Sequence, residues 1–179
     1  MAGKSANHLA GFTIPELLIS VFIIVLMTGI SVIGWSSGET TLALDRAAHK
    51  LAQDMRKATE LAQRAQPLVL PLACASPGKI KGYGVYVSSS APTSYILYAE
   101  CNDNQVYNSE ADTIVQTVTL ENKIQISSAT LSILFVPPVP TITIQPGDLD
   151  QAQVVLSAIG DPTRSKTITI TTKGIIDID

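Results

Sequence analysis

From Leu17 to Trp35 the chain reads LLISVFIIVLMTGISVIGW, 19 consecutive residues without a charge. In a helix that rises 1.5 Å per residue such a run is about 28 Å long, close to the hydrocarbon thickness of a bilayer. Ser20, Thr28 and Ser31 are its only polar interruptions. A helix lying on one side of a globular core would carry a polar face, and this run has none. The expectation is a membrane-inserted helix. A secretory signal peptide fits less well: Lys4 is the one positive charge ahead of the run, the run is long for a signal's apolar region, and Glu16 stands at its start.

After Gly38 the pattern changes. Leu44, Ala47, Ala48, Leu51, Met55, Ala58, Leu61, Ala62 and Ala65 recur at three- and four-residue spacing. That is the signature of an amphipathic helix whose apolar stripe is built mostly of small side chains. Five basic residues there nearly balance four acidic ones (Glu39, Asp45, Asp54, Glu60), and Pro67 should stop the helix. Together the two halves make one helical element of about 50 residues, roughly 75 Å. Gly29, Gly34 and Gly38 weaken its middle and are places for a bend or local melting.

From Leu68 onward short runs rich in threonine, valine, isoleucine and tyrosine alternate with turn residues. They are GYGVYVSS, SYILYAE, TIVQTVTL, KIQIS, LSILFV, TITIQ, QVVLSAI, KTITITT and GIIDI. Such residues suit half-buried, pleated surfaces. SPGK, SAPTS, NDN, VPPVP, PGD and GDPTR break the runs apart. The expected fold class is α+β: a long N-terminal helix, half membrane-spanning and half amphipathic, packed on an antiparallel β-sheet head.

Composition removes several function classes. With 46% hydrophobic and 15% charged residues the chain is not disordered. A net charge of −3 excludes a generally basic nucleic-acid binder. From Leu68 on, six basic residues stand against ten acidic ones, a net of −4. Phosphate binding needs local positive charge, so a nucleic-acid partner is disfavoured, with a small patch at Arg164 and Lys166 as the one place for it. His8 and His49 are the only histidines. The chain beyond them cannot build a Ser-His-Asp triad or a multi-histidine metal site, and two cysteines are too few for a four-cysteine zinc site. No catalytic constellation is present, and the expectation is a non-enzyme.

The N-terminal stretch GFTIPELLI, residues 11–19, resembles the prepilin signature of type IV pilins and type II secretion pseudopilins. It joins a short polar leader, a glycine, a phenylalanine, an early glutamate and an uncharged run. The resemblance implies cleavage by a prepilin peptidase between Gly11 and Phe12, N-methylation of Phe12, and polymerisation through the apolar helix, with Glu16 as the fifth mature residue. Pro15 stands where the family usually has an aliphatic residue, although proline is tolerated in a first helical turn. The leader ends His8-Leu9-Ala10-Gly11 instead of with lysine or arginine. GYGVYV, SYILYAECNDNQVYNSEADTIVQTVTL, LSILFVPP and KTITITTKGIIDI resemble more diffusely the heads of minor pilins and H-type pseudopilins, which close on a strand, a glycine (Gly174 here) and a last strand.

The domain organisation then implied is a leader at 1–11, a transmembrane and filament-core helix at 12–37, an amphipathic half at 38–66 and a β-rich head at 67–179. The partners implied are other pilin or pseudopilin subunits, in a homo- or hetero-polymer, the prepilin peptidase and an inner-membrane assembly platform. The location implied is the bacterial inner membrane as a single-pass protein, followed by an extracytoplasmic filament in the periplasm or at the cell surface. The competing reading is a monomeric, membrane-anchored β-domain that binds an extracellular ligand or surface. Glu16 also carries a physical argument of its own. A carboxylate at the edge of an apolar run is costly unless paired. Cleavage after Gly11 frees an amine on Phe12, which in an axially shifted neighbour could neutralise it and set the subunit register. Alternatively Glu16 anchors the helix start among lipid headgroups.

Cys74 and Cys101 lie in the portion that would be exported, where a disulfide is chemically allowed, and form either one bridge or two separately buried thiols. No cofactor is called for. Glu100, Asn102, Asn104, Asn108, Glu110 and Asp112 place oxygen side chains at roughly alternate positions, loosely like a calcium loop. The turn glycine and the glutamate at the twelfth position are missing, so a polar hairpin loop is the simpler expectation. Tyr83, Tyr86, Tyr95, Tyr98 and Tyr107 read as cross-strand packing residues, with a glycan or aromatic-ligand platform as the alternative.

Overall fold

The computed structural model describes residues 12–64, 74, 80–139, 141–147 and 149–179; within the helix the side chains of 30–37 are not described. It divides into two compact units, Met1–Glu39 and Thr40–Asp179. One helix, α1 (Ile14–Gln63), belongs to both.

In the first unit Thr13 precedes the helix, and its carbonyl accepts the Leu17 N–H at 3.1 Å to close the first turn. Pro15 falls inside that turn, where its missing N–H has no helical partner to lose. Glu16 is the acidic residue of the same turn, placed where the helix dipole favours negative charge. Ser20 donates to the Glu16 carbonyl at 2.8 Å, and Thr28 donates to the carbonyls of Ile24 and Val25. The hydroxyls of Ser20 and Thr28 are thus satisfied by the helix itself. Among the described residues no helix is long and apolar enough to cross a membrane. The apolar stretch with described side chains, Ile14 to Gly29, measures about 24 Å. The rest of the expected membrane-spanning half, residues 30–37, lies outside the described side chains, and the leader lies outside the described residues.

In the second unit α1 buries Ala43, Leu44, Ala47, Ala48, Leu51, Ala52, Met55, Ala58 and Ala62. The helix ends at Gln63, earlier than the expected stop at Pro67, which lies outside the described residues. Among the described residues nine strands follow: β1 (Gly82–Val87), β2 (Ser94–Glu100), β3 (Thr113–Thr119), β4 (Ile124–Ile126), β5 (Leu131–Val136), β6 (Thr141–Gln145), β7 (Gln151–Ala158), β8 (Asp161–Thr171) and β9 (Ile176–Ile178). They form a five-stranded sheet, β3-β2-β1-β5-β6, and a four-stranded sheet, β4-β7-β8-β9. All pairings are antiparallel. Gly174, at φ +85°, turns β8 into β9 in a conformation that side chains with a Cβ rarely adopt.

Alternation along the strands sends one face of each sheet into the core that the helix stripe completes. Tyr83, Val85, Val87, Tyr95, Leu97, Ile133 and Phe135 come from the larger sheet; Ala152, Val154, Leu156, Ile168 and Ile170 come from the smaller. Polar contacts fix the helix to both. Lys57 donates to Gln116 at 3.1 Å, and Asp45 meets Lys166 at 3.5 Å. Arg46 lies 3.6 Å from Glu121, in the turn before β4. Asp54, counted from the sequence only as one of the helix charges, is buried and accepts from Lys50 and Tyr95.

The opposite face of the larger sheet carries Gly84, Tyr86, Tyr98, Ser132 and Glu100. Gly84 pairs with Tyr98, and the Tyr98 ring lies so close across it that a Cβ at Gly84 would sit 2.5 Å from ring carbons. The missing side chain lets Tyr98 reach over β1 to Ser132 on β5, where the two hydroxyls are 2.7 Å apart.

Candidate functional site

The first unit presents one chemical surface. Phe12 is 79% exposed, Ile14 is 80% exposed, and Leu17, Leu18, Ile19 and every apolar residue from Val21 to Met27 are likewise exposed. These positions run all around the helix, so the surface is a cylinder with no preferred side. Glu16 is the charged group of this stretch and is exposed; Thr13 donates to its carboxylate at 3.5 Å. Phe12 and Glu16 are both described, whereas Gly11, on the other side of the expected cut, lies outside the described residues.

In the second unit the segment between β2 and β3 folds back over the outer face of the five-stranded sheet. Tyr107 packs its ring on Tyr86 and Tyr98, with centroids 4.8 and 5.2 Å apart, and its N–H donates to Ser132 Oγ at 3.3 Å. Asn102, Asn104 and Asn108 each turn the chain by accepting the amide two residues on, those of Asn104, Val106 and Glu110. This is ordinary chemistry for asparagine in a loop. Asp112 is buried and accepts the amides of Cys101 at 3.0 Å and Asn108 at 2.7 Å. Glu100 is buried too, and its Oε1 accepts the Asn102 amide at 3.1 Å. Burial, then the neighbouring Asp112 charge, hold the Glu100 carboxyl above the usual carboxylate range. Of the oxygen ligands read from the sequence, the structure thus buries Glu100 and Asp112, while Asn102, Asn104 and Asn108 are exposed. Among the described residues no group of three or more His, Cys, Asp or Glu side chains is gathered as a metal site.

Cys74 and Cys101 are joined in a disulfide, with Cα atoms 5.7 Å apart. It ties the loop at its root, immediately after β2, to a point ahead of β1. Of the tyrosines, Tyr83, Tyr95 and Tyr98 are buried, which makes them packing groups and removes them from any surface platform. Tyr86 borders a shallow hollow of about 260 Å³ with Val106, Thr130, Ser132, Gln145 and Pro146. Arg164 and Lys166, the one basic patch read from the sequence, are paired with Asp161 at 3.1 Å and Asp45 at 3.5 Å. His49 lies exposed on the helix surface.

Sequence reasoning missed Asp54. The signal was available: position 54 lies three beyond Leu51 and four before Ala58, on the buried stripe. No protein-family model, curated protein or solved structure matches the chain.

Proposed function

We propose that this chain is a structural subunit, in character a minor pilin or pseudopilin, of a type IV pilus or type II secretion-like filament. The observation that carries the reading is the bare apolar cylinder at Ile14–Met27 with a single carboxylate at its start. A surface that apolar on all sides has two stable surroundings, lipid or other helices of the same kind. In sequence the uncharged run continues to Trp35, which extends it to bilayer length. The chain waits in the inner membrane and passes from lipid into a helical bundle without exposing that surface to water. In the bundle Glu16 meets the Phe12 amine of a neighbour. The head of two sheets remains outside as the displayed part, and no step of covalent chemistry is assigned to it.

The test is the start of the membrane-bound form. N-terminal sequencing and intact mass should give a chain beginning at a methylated Phe12, and Gly11→Leu should block the cut. A mature chain that begins after Gly34, as a signal peptidase would leave, overturns the reading. A chain cut at Gly11 that never enters sheared filaments favours the monomeric anchored domain instead.

A further inference from the structure

Glu100 ends β2 on the sheet face turned away from the helix, beneath the 101–112 loop. It is 0% exposed; its Oε1 accepts the Asn102 amide, and its Oε2 is buried with no group donating to it. Opposite it on β1 stands Gly82, and Leu134 of β5 lies over the gap left there: a Cβ at Gly82 would come 3.1 Å from Leu134 Cδ1. Against Glu100 lies Asp112, also buried, whose two oxygens accept the amides of Cys101 and Asn108. Those two bonds draw the middle and the end of the loop to its start, so Asp112 closes the loop at its neck. Beyond the neck Tyr107 lies on Tyr86 and Tyr98.

No counter-charge reaches the two carboxyls. Lys81, ahead of β1, is turned to Asp103 at 3.9 Å, and among the described residues no ion pair includes Glu100 or Asp112. The other titratable groups around the pair are phenols: Tyr98 on β2 and Tyr107 of the loop, with Tyr86 of β1 beside Tyr107. The neighbouring strands bring hydroxyls, Ser132 of β5 bonded to Tyr98 and Thr113 of β3 beside Cys101. Two buried carboxyls in contact cannot both be ionised in such surroundings. The amides of Asn102 and Asn104 favour a charged Glu100, but burial and the Asp112 charge outweigh them and keep its proton on above the usual carboxylate range. A proton on Oε2 turns that unpartnered acceptor into a donor to Asp112.

We propose that the 101–112 loop is a proton-operated latch: one proton shared by Glu100 and Asp112 holds it down on the outer face of the larger sheet, and loss of that proton releases it and uncovers Tyr86 and Tyr98. The disulfide at Cys101 and the start of β3 at Thr113 keep both ends of the loop in place, so the part that lifts is the stretch between them. The closed loop holds the proton more tightly than the open loop does. Closure is therefore strongest below the ordinary value near 4.5 and weakens as pH climbs to the raised one. One proton is involved, so the opening constant rises by at most about tenfold per pH unit across that window and is level above it. The proposal concerns the head alone and does not depend on the filament reading.

The experiment is hydrogen exchange of the full chain in mild detergent, read by mass spectrometry from about pH 4.5 to 8.5 and corrected for the intrinsic rate. Amides of 102–112 should lose protection by about tenfold or more over that range, while those of β5 and β7 keep theirs. In Glu100→Gln the side-chain amide donates to Asp112 at every pH, so the same segment should stay protected throughout. Hydroxyl-radical labelling is the second readout. Oxidation of Tyr98 and Tyr107 should rise several-fold between about pH 5 and 8 in the unaltered chain and stay level in Glu100→Gln. Should that variant fail to fold, carbon-13 titration of the Glu100 carboxyl in the unaltered chain decides alone. A midpoint above about 5 supports the latch, and one at or below about 4.5 overturns it. Protection of 102–112 that is flat with pH in the unaltered chain, or that falls equally in Glu100→Gln, overturns it as well.

Discussion

The Tyr95 phenol donates a 2.6 Å hydrogen bond to Oδ2 of Asp54, joining the start of β2 to the buried face of the helix. The same carboxylate accepts from Lys50 Nζ at 3.0 Å, one helical turn earlier. Lys50 is half exposed and brings the charge in from the solvent side, while Tyr95 closes the dry side. A buried carboxylate is tolerated only when both needs are met. The arrangement fixes the helix along its axis, because a shift of one turn would leave Asp54 against apolar side chains.

Tyr95→Phe should therefore destabilise the head by about 1–3 kcal/mol, the cost of leaving a buried acceptor short of a donor. Asp54→Asn alone should also destabilise. The double variant should lose less than the sum, with a coupling of about 0.5–3 kcal/mol in chemical denaturation. Additive losses would show that the two groups act independently.

Gly84→Ala places a methyl group 2.5 Å from the Tyr98 ring, and that ring is held at its far end by Ser132. The expected cost is about 1–3 kcal/mol, as for other overpacked sites. Adding Tyr98→Ala to Gly84→Ala should add less than Tyr98→Ala costs alone, since the clash goes with the ring. Thermal melts of the three variants against the parent chain check this.

Replacing both Cys74 and Cys101 by serine opens a cross-link between positions 27 residues apart. On the chain-entropy account the loss is roughly 3–4 kcal/mol. Mass analysis after thiol alkylation, with and without reductant, should find no free thiol in the unaltered exported protein. The serine variant should unfold at lower denaturant, with the slope of the transition raised by the more open unfolded chain.

Alkali should meet resistant tyrosines. Burial, then the Asp54 hydrogen bond and charge, hold the Tyr95 phenol far above the ordinary tyrosine range, and burial raises Tyr83, Tyr98 and Tyr107 as well. An acid whose pKa is raised by folding contributes stability below its unfolded value, near 10, and loses it as pH climbs through the folded one. Absorbance at 295 nm near pH 10.5 should thus report fewer phenolates in the folded chain than after denaturation, and stability should fall from about pH 10 upward. Equal phenolate counts in both states would contradict the burial of these rings.

Glu16→Ala should leave membrane association and cleavage intact, because the segment becomes more apolar. In the filament the Phe12 amine of a neighbour would lose its partner, and breaking one side of a buried ion pair costs about 3–5 kcal/mol. Sheared filament should disappear while the membrane pool persists, and Glu16→Asp should be intermediate. Normal filament yield from Glu16→Ala would leave the glutamate as an interfacial anchor only.

The strand pattern was legible because its signals are local. All nine β-rich runs became strands: Ile168 and Ile170, for instance, alternate with Thr167 and Thr169, and that period alone assigns a face. The small-residue stripe from Leu44 to Ala62 was legible for the same reason, since helical spacing states which side chains share a side. Cysteine count and an export-compatible sequence allowed the Cys74–Cys101 bridge but left separate thiols open, because connection is a matter of where two distant segments meet. The division of the strands into two sheets, with β5 beside β1 and β4 beside β7, had no local signal at all. Nor did Gly84: in sequence it is a glycine inside a strand, and only the Tyr98 ring laid across it explains the missing side chain. Asp54 and Glu100 mark the limit most sharply. Helical spacing puts Asp54 on the buried stripe, but the phenol that makes its burial tolerable, Tyr95, stands 41 residues away along the chain, and Glu100 is buried beneath a loop whose Asp112 lies 12 residues on. Periodicity determines which face a side chain takes, and long-range packing alone determines what that face meets.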